Sequence, residues 1–86
     1  MSGIAMEEIH GWLERGKLRG STHVLVMQDT FANEYYPIFV SPTENAREVV
    51  EKIESDKREL ADRVIEVYNL ALPFVEQLNE KRARNF

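Results

Sequence analysis

The 86-residue sequence contains no cysteine, and it has only four glycines and three prolines. The absence of cysteine excludes disulfides, thiolate nucleophiles and zinc sites built on cysteine. No apolar run approaches the roughly 18 residues that a membrane helix needs. The start of the sequence also lacks the basic and apolar blocks of a secretion signal. We therefore expect a cytoplasmic protein that does not bind membranes.

Positive charge is also scarce, because 11 lysines and arginines stand against 15 aspartates and glutamates. The net charge of −4 argues against nucleic-acid binding, which needs clustered cations to neutralise phosphates. Two small basic clusters, at 15–19 and 81–84, fit solvated helix ends, with an anion-binding patch as the alternative. The length fits one domain spanning 1–86. Such a chain buries only about 60–65 % of its unfolded surface, so oligomerisation is a common source of extra stability.

The first half of the chain predicts a helix followed by a β-hairpin. Apolar residues recur at helical spacing over 4–15, and Gly16 stands where a helix C-cap is expected. Residues 22–31 are rich in β-formers and predict a strand, and residues 35–40 predict the strand that returns after a short turn. Pro37 cannot donate a ladder hydrogen bond, which indicates an edge or a distortion in the second strand.

Both predicted strands are apolar on both faces. In the first strand Val24 and Val26 point to one side, and Leu25 and Met27 point to the other. A sheet that is apolar on both faces must be covered on both, and two strands alone are marginal in water. We expect the helices of the chain to cover one face and a second subunit to cover the other. The sequence thus predicts a homodimer or a higher oligomer.

The second half predicts two helices. Residues 41–44 read Ser-Pro-Thr-Glu, which is typical of a capping box with proline at the first helical position. The apolar stripe that follows loses phase near Ser55, where a kink and a break both fit the pattern. Apolar residues at spacings of four and three over 60–78 then predict a long final helix, kinked at Pro73. The predicted fold is α+β: a helix, a two-stranded antiparallel hairpin and two helices, oligomerising through the sheet and the final helix.

Most catalytic signatures are absent from the sequence, which has no glycine-rich phosphate loop, no nucleophile elbow and no His-Glu-x-x-His motif. Glu7 and His10 share one helical face, as in half of a carboxylate-bridged di-metal site, but an ordinary helix-surface pair is the favoured interpretation. We predict no cofactor and no metal, and we favour a protein that is not an enzyme.

Polar residues gather around the predicted hairpin. Asp29 and Thr30 end a hydrophobic run, where an acid normally starts the turn by accepting hydrogen bonds from nearby amides. In the functional interpretation, a carboxylate, a hydroxyl and a stacked aromatic ring hold a nucleobase or a ribose. Arginines of another subunit then bind a phosphate. The candidate ligand-binding residues are His23, Asp29, Thr30, Glu34, Tyr36, Arg15 and Arg19.

The hairpin also carries a family resemblance. Residues 22–31, Thr-His-Val-Leu-Val-Met-Gln-Asp-Thr-Phe, and residues 34–40, Glu-Tyr-Tyr-Pro-Ile-Phe-Val, resemble the core of a family of small uncharacterised bacterial and phage proteins. The pattern of that family is Thr-His, a hydrophobic run, Asp-Thr-Phe, and then an acid, a tyrosine and a proline before a β-run. Gln28 and Tyr35 depart from it. The resemblance implies no activity, but it adds weight to the candidate residues that lie in the hairpin.

Three functional hypotheses are consistent with the sequence. The favoured one is a non-enzymatic homo-oligomer that binds or sequesters a small polar ligand, in its most concrete form a nucleotide-derived signal, as a phage or bacterial accessory protein does. The second is a protein–protein interaction or inhibitor protein that uses the acidic helical surface of residues 44–66. The third is a small metal-dependent or acid–base enzyme that uses His23, Asp29 and Glu34.

Overall fold

A three-stranded antiparallel sheet with helices on both faces makes up the part of the chain that the structure describes. The structure is a computed structural model, and it describes residues 5–55, 62–80 and 82–86. Its α+β architecture confirms the predicted fold class. The elements, in chain order, are α1 (Met6–Leu18), β1 (His23–Asp29), β2 (Glu34–Val40), α2 (Ala46–Ser55), β3 (Asp62–Asn69) and α3 (Phe74–Leu78).

β1 is the central strand, because the strand order is β2-β1-β3. It pairs antiparallel with both neighbours, so that Leu25 lies opposite Ile38 on one side and opposite Val67 on the other. The two strands of the predicted hairpin do pair, but the expectation of a two-stranded sheet is wrong because β3 joins the other edge of β1. Three strands with a packed face can be stable where an isolated hairpin is marginal.

β3 occupies residues that predict part of a long helix over 60–78, and that prediction is wrong. The strand is rich in β-branched and aromatic residues, but its apolar positions recur at a spacing of three. Val64 and Val67 pack on one face of the sheet. Ile65 and Tyr68 pack on the other. A β-bulge in the pairing with β1 shifts the register and produces this spacing, which is also the spacing of a helical stripe.

Pro73 precedes a helix and does not kink one, so the predicted kink is wrong. α3 begins at Phe74, and the backbone of Pro73 is extended (φ −59°, ψ 133°). Residue 60, at the start of the predicted final helix, lies outside the described residues. Because β3 lies between α2 and α3 in the chain, the acidic surface predicted over 44–66 is not one continuous helix.

α2 begins later than the capping box predicts. The Ser41 main-chain N–H does donate a hydrogen bond to Glu44 Oε1, over 3.2 Å. These two residues belong to a separate turn, however, and the helix starts at Ala46. Asn45 caps it, because its side-chain oxygen accepts a hydrogen bond from the Glu48 N–H at 3.1 Å. The prediction that the helix opens at the proline of this box is wrong.

Both faces of the sheet are covered by helices of the same chain. α1 and α3 pack over the face that carries Val24 and Val26, and α2 packs over the face that carries Leu25 and Met27. All four side chains are at most 1 % exposed. A second subunit is therefore not needed to cover either face, which removes the argument for an oligomer that was based on an uncovered sheet face. Self-association itself stays a prediction.

The edge segment, residues 82–86, runs back along the outer side of β3. The Val67 N–H donates to the Ala83 carbonyl (2.7 Å), and the Asn85 N–H donates to the Val67 carbonyl (3.0 Å). Gln77, only 3 % exposed, also holds this segment, because its side-chain oxygen accepts a hydrogen bond from Asn85 Nδ2 (3.1 Å). The edge segment is therefore fixed through both its backbone and its side chains.

α1 continues past Gly16, the predicted C-cap, and ends at Leu18. Gly16 is buried because the helix approaches the sheet closely there. A Cβ at this position would lie 2.9 Å from Val24 Cγ2 and 3.2 Å from Phe39 Cδ1. The left-handed backbone after the helix is supplied by Gly20 (φ +79°). Gly16 thus serves the packing of α1 on the sheet.

We expect Gly16→Ala to lower the free energy of unfolding, because the added methyl group crowds the sheet. Overpacking of this kind costs about 1–3 kcal/mol, and most of this range lies above the roughly 1 kcal/mol that alanine gains over glycine inside a helix. Gly11→Ala in the same helix is the matched control, because nothing lies within 4 Å of a Cβ there. Urea unfolding should show the first variant destabilised and the second stabilised. The reverse order would contradict the packing of α1.

Candidate functional site

The candidate residues of the hairpin lie at opposite ends of the sheet. His23 is the first residue of β1 and Asp29 is the last. Six steps of about 3.3 Å along a strand separate them by about 20 Å. The structure therefore does not bring His23 together with Asp29 and Glu34, either as a ligand site or as the catalytic group of the enzyme hypothesis.

Asp29 organises the turn between β1 and β2. Its Oδ1 accepts hydrogen bonds from the Phe31 N–H (3.0 Å) and the Ala32 N–H (3.2 Å). Thr30 lies in the same turn, and Asn33 adopts a left-handed backbone within it (φ 55°). These contacts match the structural interpretation of the polar cluster, in which an acid at the end of a strand accepts hydrogen bonds from nearby amides.

Three carboxylates stand side by side at the hairpin end of the sheet. Asp29 pairs in register with Glu34 of β2 and with Asp62 of β3. The Tyr36 hydroxyl donates a hydrogen bond to Asp62. Sequence reasoning misses Asp62 because its segment predicts a helix. Among the residues that the structure describes, no group of three His, Cys, Asp or Glu side chains could hold a metal ion.

The Tyr36 phenol is held in its neutral form. Burial, the hydrogen bond to Asp62 and the negative charges of Asp62 and Asp29 together raise the pKa of Tyr36 from 10.0 to about 12. A neutral phenol can donate a hydrogen bond, but the row of carboxylates beside it repels anions. This face of the hairpin end is therefore unsuited to a phosphate.

His23 connects the other end of the sheet to the edge segment. Its Nδ1 lies 2.9 Å from Thr22 Oγ1, and its Nε2 lies 3.3 Å from the Phe86 main-chain oxygen. The same oxygen accepts a hydrogen bond from Asn69 Nδ2 (3.2 Å). Both ring nitrogens of His23 are therefore engaged inside the chain, and these contacts give it a structural role.

The structure places neither Arg15 of α1 nor Arg19, which follows α1, beside Asp29 within one chain. The Arg19 guanidinium lies 4.4 Å from the centre of the Phe39 ring. Phe39 pairs with Val24 and so lies toward the His23 end of the sheet. Arg15 is exposed on α1, about one helical turn earlier.

A groove lined by arginines opens where β1, β3 and the edge segment meet. Gln28 and Arg63 are register partners on β1 and β3, and Arg82 and Arg84 come from the edge segment. The groove has a volume of about 620 Å³. We call it the arginine groove, and its lining residues are Gln28, Arg63, Val64, Ile65, Arg82 and Arg84.

Positive charge dominates the arginine groove, although the chain as a whole is acidic. Arg84 forms an ion pair with Glu54 of α2, in which Nη2 lies 2.8 Å from Oε2. Within the described residues, Arg63 and Arg82 form no ion pair, and both are exposed. Two of the three arginines are thus open to an anion from solvent.

Arg82 has a left-handed backbone (φ 55°), which is unusual for its residue type. Such a conformation costs roughly 1–2 kcal/mol in a residue with a side chain. Arg82 lies where the chain turns, and this turn allows Arg84 to pair with β3. The sequence predicts this basic cluster at a helix end, but Arg82 lies in a turn after α3 and Arg84 forms an isolated bridge with Val67 of β3. Arg63 joins them only through the strand pairing.

No family model, no curated protein and no solved structure matches the chain. The resemblance of the hairpin to a family of small bacterial and phage proteins therefore stays a prediction. Of the helices that the structure describes, none is long and apolar enough to cross a membrane.

We expect the free energy of unfolding to fall as the pH rises above about 10. The folded protein keeps the Tyr36 proton until about pH 12, whereas the unfolded chain releases it near the ordinary pKa of 10.0. The unfolded state then binds fewer protons, so unfolding becomes more favourable as the pH rises. The pKa of Tyr68 is raised in the same direction, by burial and by its hydrogen bond to Glu66.

Ultraviolet titration of the folded protein checks this assignment. Tyr36→Phe should remove tyrosinate absorbance that develops near pH 12 and should make the decline in stability at high pH shallower. If the substitution instead removes tyrosinate absorbance that develops near pH 10, the Tyr36 phenol ionises at its ordinary pKa and the assignment is wrong.

Proposed function

We propose that this chain is a small, non-enzymatic binding protein whose arginine groove holds a phosphate-bearing ligand. The observation that carries the proposal is the convergence of Arg63, Arg82 and Arg84 on one groove. The planar guanidinium group presents paired N–H donors that match two phosphate oxygens at once. Three such groups together favour a ligand that carries more than one negative charge.

The size and the lining of the groove support a ligand larger than a free phosphate ion. Small-molecule sites occupy about 300–1,000 Å³, and the volume of about 620 Å³ falls in this range. Val64 and Ile65 supply apolar surface. The side-chain oxygen of Gln28 can accept a hydrogen bond, while its Nε2 donates to Asn33 Oδ1 (3.4 Å) and to the Tyr35 hydroxyl (3.5 Å). A nucleotide-derived ligand combines charged phosphate, apolar ring faces and polar ring edges, and it therefore fits these features.

The lining favours binding over catalysis. None of the six lining residues is a nucleophile or a general base, and arginine stays protonated at ordinary pH. The carboxylates of the hairpin end, Asp29, Glu34 and Asp62, are not among the residues that line the groove. We therefore propose that the protein binds or sequesters its ligand without changing it.

Isothermal titration calorimetry with ADP, AMP and inorganic phosphate tests the proposal. We expect Arg63→Ala to weaken ADP binding about 10- to 100-fold, because a hydrogen bond to a charged group contributes roughly 1.5–3 kcal/mol. Lys17→Ala is the control, since it removes one positive charge from an exposed position on α1 that is not a candidate ligand-binding residue. It should change the affinity by less than about twofold, because salt screens a distant charge. Equal effects of the two variants, or no binding of any phosphate compound, would overturn the proposal.

Arg82→Gly separates ligand binding from folding. Glycine adopts the left-handed backbone of this position without steric cost. We therefore expect the melting temperature to be unchanged or slightly higher, while the affinity for ADP falls about tenfold or more. Circular-dichroism melting and calorimetry on one sample check both effects. A variant that binds ADP as tightly as the unchanged protein would remove Arg82 from the site.

A further inference from the structure

We infer that Glu54 competes with the ligand for Arg84 and so sets the affinity of the arginine groove, an inference that rests on the proposed function. The carboxylate of Glu54 accepts a hydrogen bond from the Arg84 guanidinium group, with Oε2 lying 2.8 Å from Nη2. Arg84 lines the groove, but Glu54 does not. Glu54 thus acts on the groove from its margin, through the arginine that it holds.

The ion pair is exposed enough to be exchanged for another anion. The side chains of Arg84 and Glu54 are 40 % and 46 % accessible to solvent. Water competes for both groups at this exposure, and exposed ion pairs hold weakly. A phosphate group offers more acceptor oxygens and a larger charge than a carboxylate, so it can take over the guanidinium donors.

Arg84 stays at the groove when Glu54 is removed. Its Nη2 also donates a hydrogen bond to the Val64 carbonyl oxygen, over 3.4 Å. The residues on either side of it, Ala83 and Asn85, form main-chain hydrogen bonds with Val67 of β3. The sheet therefore fixes the backbone that carries the guanidinium group, and loss of the carboxylate leaves the donors of Arg84 open.

The charge of Glu54 offsets one of the three positive charges at the groove. It repels any anion that approaches, and the repulsion grows in proportion to the charge of the ligand. A dianionic phosphate monoester meets about twice the repulsion that a monoanionic diester meets. Glu54 therefore weakens binding most for the ligands that the arginines attract most strongly.

Glu54→Gln tests this inference by removing the charge while keeping the shape of the side chain. Calorimetric titration at about 0.15 M salt, where the Debye length is about 8 Å, gives the affinities for AMP, a phosphate monoester, and for cyclic AMP, a phosphodiester. We expect the variant to bind AMP about three- to tenfold more tightly than the unchanged protein, and cyclic AMP to gain by a smaller factor. Glu48→Gln is the matched control, because it removes the same charge from an exposed position near the other end of α2. Its affinity for AMP should stay within about twofold of the unchanged protein.

The outcomes separate the inference from the proposed function. If the unchanged protein binds AMP through Arg63 but Glu54→Gln binds it no more tightly, Glu54 is only a structural partner of Arg84 and the inference is overturned. If neither protein binds any of these phosphate probes, the proposed function fails and the inference fails with it.

Glu54→Asp provides a second test in case the glutamine variant does not fold. Aspartate keeps the charge but is one methylene shorter, so it repels the ligand while holding Arg84 less well. We expect a gain in AMP affinity that is smaller than about threefold. An unchanged or weaker affinity would contradict competition for Arg84.

Discussion

Burial of β1 on both faces is the constraint on which the rest of the structure depends. Its four central side chains are consecutive in the sequence, and each is at most 1 % exposed. Burying a side chain of this kind contributes about 1.5–3 kcal/mol relative to leaving it in water. A strand with apolar residues on consecutive positions needs a partner at each edge and a covering layer on each face. β2 and β3 supply the partners, and α1, α2 and α3 supply the layers.

The parts of the fold that the sequence predicts are those whose signals are local. β1 and β2 lie where runs of β-formers end at turn residues, and α2 lies where an apolar stripe follows a capping signal. β3 cannot be recognised in this way, because its bulge replaces the alternation of a strand with a helical spacing. A proline at position 73 is compatible with a helix kink and with a helix start. The start is distinguished from the kink only by the presence of β3 before it. Gly16 is similar, since a packing glycine and a C-cap glycine look alike in sequence.

The arginine groove could not be predicted from the sequence, because it is assembled from segments that are far apart in the chain. Gln28, Arg63 and Arg84 come together only after β1 pairs with β3 and the edge segment folds back. The converse holds for the hairpin candidates, which are close in sequence but separated by the length of a strand. Asp29 and Gln28 are neighbours in β1 on opposite faces of the sheet, where Asp29 lies beside Glu34 and Asp62 and Gln28 lies beside Tyr35 and Arg63.

The edge segment also bears on aggregation through the edges of the sheet. An uncovered outer strand presents free N–H and C=O groups, which template the addition of further strands and the growth of fibrils. In β3, Val67 instead uses both of its main-chain groups on Ala83 and Asn85. At the opposite border of the sheet, β2 is interrupted by Pro37, which has no N–H to offer. One border is thus occupied at Val67 and the other is interrupted by proline, and both features oppose strand-by-strand addition of further copies.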